Sequence, residues 1–223
     1  MKKNNMIKII PTVFARSKKE FDEKFEKLTE ISNELQIDFM DGHFVRNKSI
    51  SLADVPNLKN FKNRFEAHLM VNHPETWIKR LKNKGFKKVI FHYESLRDDK
   101  KIIGLINEIR KLDMKVFLAI NPGTHEDKII KFLNKVDGIL IMGVHPGRER
   151  QRLIYKTFYK IENIRKENSK IPIQIDGGVS IFNIEKLVDS GATILNSGSF
   201  ISRAENPKEA LEELYNGIKA IVN

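Results

Sequence analysis

Short apolar runs alternate with amphipathic stretches of helical period from one end of the chain to the other, and this alternation limits the fold more than any other feature. The apolar runs cover residues 7–14, 36–41, 64–71, 88–93, 115–121, 138–144, 171–176 and 193–197. The helical patterns between them cover 18–34, 74–84, 99–112, 126–135, 152–168, 181–190 and 207–222, with a further short helix expected within 52–61. Ser17, Pro74 and Pro207 read as helix starts, and Gly85 and Gly191 as stops. Runs such as Val89-Ile90-Phe91 and Ile139-Leu140-Ile141-Met142 are apolar at every position, so both faces of those strands need covering. Helices packed on a parallel sheet cover strands in this way.

Eight βα units in 223 residues is about 28 residues each, near the compact end for an α/β protein of the (β/α)8 TIM barrel type. An open doubly wound sheet is the competitor. It is disfavoured because no Gly-x-Gly-x-x-Gly opens the first helix and because polar residues recur at many strand ends. With no Pro/Gly/Ser-rich linker and no abrupt change of composition, residues 1–223 read as one domain.

The formal charge of +11 raises the question of nucleic acid. The lysines are scattered along the helical stretches (Lys18, Lys19, Lys24 and Lys27; Lys79, Lys82 and Lys84), and no aromatic-basic stacking motif or zinc-finger spacing accompanies them. They read as solvated helix faces, with no nucleic-acid partner, and a positive field of this kind helps recruit a small anionic substrate. No stretch reaches the roughly 18 to 20 apolar residues that cross a bilayer. The chain contains no cysteine, and strand-like sequence follows the first six residues directly, so a soluble cytoplasmic protein with no membrane partner is expected.

In a closed parallel barrel the C-terminal strand ends converge on one mouth. Standing there are Thr12, Asp38, His68, His92, Asn121-Pro122, Gly143 to Gly147, Asp176-Gly177-Gly178 and Ser197-Gly198-Ser199. A single histidine on a strand is ordinarily a core residue; eight polar or glycine-rich strand ends in succession point to an active-site mouth. Gly177-Gly178 and Gly198-Ser199 follow the last two strands, where backbone N–H groups approach a phosphate closely. Asp38 and Asp176 come from the second and seventh strands and face each other across the cavity. Such a pair suits proton transfer in which one carboxylate removes a proton from carbon and the other returns it on the opposite face. His68 is placed to join both in holding a metal ion, which would polarise a ketone.

These residues resemble those of the ribulose-phosphate 3-epimerase family over nearly the whole chain. The matching segments are Ile10-Pro11-Thr12, Asp38-Phe39-Met40-Asp41-Gly42-His43-Phe44-Val45, His68-Leu69-Met70-Val71, Asn121-Pro122-Gly123-Thr124, Met142-Gly143-Val144-His145-Pro146-Gly147, Asp176-Gly177-Gly178-Val179 and Gly198-Ser199. The resemblance implies a (β/α)8 barrel of the ribulose-phosphate-binding type. It also implies inversion at C3 between D-ribulose 5-phosphate and D-xylulose 5-phosphate, an isomerase step of the pentose phosphate pathway. Asp38 and Asp176 would be the acid–base pair. Both, with His68 and the residue at position 36, would hold one divalent ion (Zn, Fe, Mn or Mg). Met40, Met70 and Met142 would pack over the substrate. Thr12, His68, Gly147, Gly177, Gly178, Gly198 and Ser199 would contact the sugar phosphate, and a homo-oligomer is the family's common state.

Four departures stand against this pattern. Position 36, a histidine ligand in the family, is Gln36; its amide oxygen is a weaker donor, which favours oxygen-loving ions such as Mn²⁺ or Mg²⁺. The family's substrate-contacting serine is Thr12, which retains a hydroxyl. The glycine-rich sixth loop reads Pro146-Gly147-Arg148-Glu149-Arg150-Gln151, and the proline after His-Phe-Val is Arg46. The loop change motivates an alternative substrate, a hexulose 6-phosphate. Together with Gln36 it also motivates a catalytically impaired barrel that binds a sugar phosphate without turnover.

Overall fold

The computed structural model describes residues 7–147 and 151–222, with side chains through Lys219. Eight parallel strands close into a barrel in sequence order: β1 (Lys8–Val13), β2 (Glu34–Met40), β3 (Arg64–Met70), β4 (Lys88–His92), β5 (Lys115–Ile120), β6 (Gly138–Met142), β7 (Ile173–Asp176) and β8 (Ile194–Ser197). β8 returns to pair with β1, so no strand edge is left open. The helices are α1 (Lys18–Ile31), α2 (Ile78–Lys84), α3 (Tyr93–Leu96), α4 (Asp99–Lys111), α5 (Asp127–Ile130), α6 (Lys156–Glu167), α7 (Ile184–Asp189), α8 (Ser199–Ser202) and α9 (Pro207–Val222).

The local signals act through identifiable contacts. Ser17 caps α1 by accepting from the Glu20 N–H at 3.2 Å, while Glu20 reaches back to the Arg16 N–H at 2.9 Å. Phe21, Phe25 and Leu28 then place one apolar stripe of α1 against the barrel. Asp98 caps α4 in the same manner, and Gly85 ends α2 with φ 109. The 52–61 segment carries only a short 3-10 turn, Leu58–Asn60.

Several helices are shorter than their sequence patterns, α1, α2 and α7 by three or four residues, and α5 and α6 show why. The 152–168 pattern becomes helical only at Lys156, because the backbone before it does another job. Ile154 donates its N–H to the Gly143 carbonyl at 2.8 Å, and Leu153 lies against Gly143 and Gly178, holding the loops after β6 and β7 together. The 126–135 pattern keeps one helical turn, α5, and continues as turns that still bury Phe132 and Leu133. α3 and α8 have no counterpart among the sequence patterns; each is a four-residue segment directly after a strand end.

The outer core lies between strands and helices, and a separate apolar cluster fills part of the barrel interior with Ile10, Ile90, Phe117, Ala119, Leu140, Met142 and Ile194. The rest of the interior is polar. Gln36, Glu66, Lys88, Gln174 and Asn196 meet in its lower half, with Asp38, His68, His92 and Asp176 above them.

Candidate active site

The site is assembled at the C-terminal ends of β2, β3, β4 and β7. Register places Asp38 beside His68, and both side chains point inward. His68 Nδ1 lies 3.1 Å from Asp38 Oδ1 and 3.1 Å from Asp176 Oδ2, so one imidazole nitrogen bridges both carboxylates. Both aspartates are 7% exposed and His68 is fully buried, which leaves the carboxylates reachable from the mouth and the imidazole behind them. Burial, and then the facing charge of Asp176, pushes the Asp38 carboxyl up to about 6, against the opposing hydrogen bonds from His68 and Gln36. Burial also disfavours charge on His68. Hydrogen bonds to Asp176 and Asp38, reinforced by their charges, outweigh it and lift the imidazole to about 10.

The tautomers follow from what stands behind His68. His68 Nε2 lies 2.9 Å from Nε2 of His92, whose Nδ1 lies 3.3 Å from Glu94 Oε2. An ionised carboxylate only accepts, so His92 carries its hydrogen on Nδ1, and burial keeps that ring neutral. His92 Nε2 is therefore an acceptor and His68 Nε2 the donor. Glu94 is itself held by the Asn121 N–H at 2.8 Å and by the Thr124 hydroxyl, which gives the Asn121-Pro122-Gly123-Thr124 segment a use: it anchors the relay. Strand-end reasoning places His92 at the mouth but misses Glu94, although its position two residues after a strand-end histidine is the available signal.

Asp41, three residues after Asp38, does different work. It accepts from the backbone N–H groups of His43, Phe44 and Asn72, each at 2.8 Å, and so ties the loop after β2 to the loop after β3. Phe44 and Val45, carried by that loop, pack on an apolar cluster of Phe14, Met40 and Met70 over the mouth.

A cavity of about 100 Å³ opens directly onto the carboxylates. Its walls include Thr12, Asp38, Met40, Met70, Met142, Gly147, Asp176, Gly177, Gly178, Gly198 and Ser199. Thr12 Oγ1 is buried without a hydrogen-bond partner among the described residues. Gly177 and Gly178 have φ 94 and 76, and a Cβ on Gly178 would stand 2.7 Å from the Leu153 backbone nitrogen, so only glycine fits this turn. The altered sixth-loop residues 148–150 lie outside the described residues. A larger concavity, about 950 Å³, lies at the opposite, N-terminal end of the barrel. Its rim is made of charged side chains at strand starts, several already paired, such as Lys8 with Glu34 at 2.6 Å; no acid–base set converges there among the described residues.

Asp38, His68 and Asp176 suit a divalent cation. Each offers one donor atom, these lie within 4.8 Å of one another, and the His92–Glu94 relay leaves His68 Nδ1 directed at the same point. Gln36 differs from the expectation. Its amide nitrogen, not its oxygen, faces the carboxylates, donating to Asp38 at 2.9 Å and to Asp176 at 2.7 Å. The oxygen is turned down the barrel, where Asn196 donates to it at 2.9 Å.

The sequence model described as the ribulose-phosphate 3 epimerase family matches residues 8–202. The ribulose-phosphate 3-epimerase of Schizosaccharomyces pombe is 29% identical over 216 residues, covering 95% of this chain and 93% of that one. The cytoplasmic isoform of Oryza sativa subsp. japonica is 30% identical over 193 residues (85% and 84%), and the Mycobacterium bovis enzyme is 31% identical over 185 residues (81% and 80%). Among solved structures, KGPDC from Streptococcus mutans superposes with a TM-score of 0.73 at 12% identity, covering 97% of this chain and 99% of that one. A 3-hexulose-6-phosphate synthase superposes with 0.71 at 15% identity (95% and 99%). Likeness at that identity speaks for the fold. The match along the sequence, over residues 8–202 and at 30–31% identity to relatives covering most of both chains, makes the chain a member of the ribulose-phosphate 3-epimerase family.

Proposed function

We propose that the chain is a ribulose-phosphate 3-epimerase, in which Asp38 and Asp176 exchange the C3 proton of D-ribulose 5-phosphate to give D-xylulose 5-phosphate. The observation that carries this is the convergence of two carboxylates from β2 and β7 on one imidazole nitrogen, beneath a shared cavity. One carboxylate takes the proton from C3, and the electron pair passes toward the C2 ketone oxygen. The other, which enters the cycle as the protonated acid, delivers its proton to the opposite face of C3, inverting the carbon, and is left ionised. Proton count and charge balance over the cycle, and the pair returns to its starting state when it next exchanges protons with solvent or product.

The remaining groups bind, orient and exclude water. The unpartnered Thr12 hydroxyl is available to a sugar hydroxyl. Met40, Met70 and Met142 line the cavity and keep water from the reacting carbon. Gly177, Gly178, Gly198 and Ser199, with Gly147 opposite, offer backbone N–H groups to the phosphate. A divalent ion held by Asp38, His68 and Asp176 would polarise the ketone and offset the negative charge that develops on it. A donor set of two carboxylates and one imidazole suits Zn²⁺, Fe²⁺ or Mn²⁺.

Relatives at 29–31% identity are ribulose-phosphate 3-epimerases, which favours a pentulose phosphate over a hexulose phosphate. Both carboxylates open to that cavity and the relay behind His68 is complete, which argues against a barrel that binds without turnover. The same reading makes the chain a cytoplasmic homo-oligomer. Among the described residues no helix is long and apolar enough to cross a membrane.

The deciding experiment incubates purified protein with D-ribulose 5-phosphate in deuterated water, with Mn²⁺, Fe²⁺, Zn²⁺ or Mg²⁺ in turn. Deuterium at C3 together with xylulose 5-phosphate is the expected result, with kcat/KM higher than for a hexulose 6-phosphate. Absence of exchange on either sugar with every ion sinks the proposal.

A further inference from the structure

Below the carboxylate pair, an unbroken hydrogen-bond ladder runs down the barrel interior to an ion pair. Lys88 Nζ is paired with a Glu66 carboxylate oxygen, and it also donates to Gln174 Oε1 at 3.2 Å. Gln174 Nε2 donates to Glu66 and, at 2.7 Å, to Asn196 Oδ1. Asn196 Nδ2 donates to Gln36 Oε1 at 2.9 Å and to Glu66 at 3.3 Å, and Gln174 Nε2 makes a looser contact with Gln36 Oε1 at 3.3 Å. Gln36, Gln174 and Asn196 are buried to 1% exposure or less.

The two ends of this ladder have fixed polarity. An ammonium only donates and a carboxylate only accepts. Lys88 therefore holds the Gln174 oxygen, and Glu66 holds the nitrogens of Gln174 and Asn196. Gln174 spends its two N–H groups on Glu66 and on the Asn196 oxygen, which leaves an Asn196 N–H for Gln36, and Gln36 answers with its oxygen. The amide nitrogen of Gln36 is left pointing up at Asp38 and Asp176, which only accept when ionised. Turning the Gln36 amide over would set its oxygen against two carboxylates and its N–H groups against the Asn196 donor. Oxygen and nitrogen positions in an amide are assigned from such partners; the two carboxylates and Asn196 agree, and they outweigh the longer 3.4 Å approach of the Gln36 nitrogen to His68 Nδ1.

The geometry points to Gln36 as a positioning residue that acts as a neutral hydrogen-bond clamp on Asp38 and Asp176, locked in that orientation by Lys88 and Glu66 through Gln174 and Asn196, and competing with a divalent ion for the carboxylates. This rests on the reading of Asp38 and Asp176 as the acid–base pair and of Asp38, His68 and Asp176 as the ion's ligands. The clamp satisfies the carboxylates with the ion absent. An ion must displace two N–H···carboxylate bonds and receives no oxygen from Gln36 in return.

The test is Co²⁺ binding to ion-free protein, read by calorimetry and by the electronic spectrum of the bound Co²⁺, neither of which requires turnover. Gln36→Leu removes the competing donor, so its affinity is expected to rise up to about tenfold with the wild-type spectrum retained. Glu66→Gln with Lys88→Met erases the ladder's polarity and frees the Gln36 amide to turn; affinity is expected to rise at least tenfold and the spectrum to change as an oxygen joins. Loss of tenfold or more in affinity for Gln36→Leu, the effect expected from removing a ligand's support, overturns the inference, as does a changed spectrum in that variant. A folded double variant that matches wild type in both readouts overturns it too. Should the double variant fail to fold, Gln36→Leu alone decides. An inactive enzyme that nevertheless gives these Co²⁺ results would reject the epimerase reading and leave the clamp standing.

Discussion

The barrel interior holds two polar layers that handle buried charge in opposite ways. In the lower layer one carboxylate, Glu66, meets one ammonium, Lys88, and three amides absorb the remaining hydrogen-bond capacity. Charge is balanced there and donors meet acceptors. In the upper layer two carboxylates face one imidazole, and one of them is held near pKa 6 by burial and by its neighbour. Placing like charges together beneath a cavity is unfavourable for folding and useful for proton transfer. The lower layer resembles a structural support, while the upper layer stores the imbalance that chemistry draws on.

The largest expected effect breaks the upper layer. Asp176→Asn and Asp38→Asn each remove an acid–base group while keeping shape, so kcat on ribulose 5-phosphate should fall by about 10²–10⁴-fold. Melting temperature should hold or rise, because a like-charge contact is relieved. A variant retaining wild-type kcat would mean that its carboxylate is not the proton carrier.

The lower layer should respond in reverse. Glu66→Ala strands the Lys88 ammonium, whose side chain is only 12% exposed, and should destabilise by about 3–5 kcal/mol. That corresponds to a fall of very roughly 10 °C for a chain of this size. Removing both charges, by Glu66→Gln with Lys88→Met, should return the melting temperature close to wild type, since a buried ion pair replaced as a unit is often near neutral. Thermal melts of the three proteins check this. Equal losses in the single and double variants would show that the layer is held by packing and not by charge balance.

The two layers are also unequally legible in the sequence. Asp38, His68 and Asp176 stand at the ends of apolar runs, where a polar residue is conspicuous, and barrel closure then brings strand ends together. Lys88 begins a run and reads like any solvated lysine; its inward direction depends on register with Glu66 on β3. Its bond to Gln174 spans 86 positions, and that of Asn196 to Gln36 spans 160, distances over which no local pattern carries information. The same blindness affects Gln36. Its place beside the carboxylates is readable, but which end of its amide faces them is set by those remote partners. Ahead of α6 the apolar period is a true pattern without being a helix, because Leu153 and Ile154 are apolar for packing under the loops after β6 and β7.

The smallest expected effect tests the stored imbalance directly. In ion-free protein Asp38 titrates near 6 against an ordinary value of 3.8, so the folded state holds this proton more tightly than the unfolded state does. Folded stability from this group is therefore greatest at low pH and declines as pH rises from about 4 through 6. Asp38→Asn lacks that titration; groups remote from the site cancel in the comparison, while His68, which Asp38 helps to hold charged, loses one of its two carboxylate partners in the variant. The melting-temperature difference, variant minus wild type, should grow between pH 5 and pH 7 by a few degrees, equivalent to about 1–2 kcal/mol. A difference independent of pH would place the Asp38 carboxyl in its ordinary range and remove the imbalance. Saturating Mn²⁺ at pH 7 should then narrow or reverse the gap. The ion needs the Asp38 charge and turns repulsion between the carboxylates into shared attraction, stabilising wild type by binding energy that the variant largely forgoes.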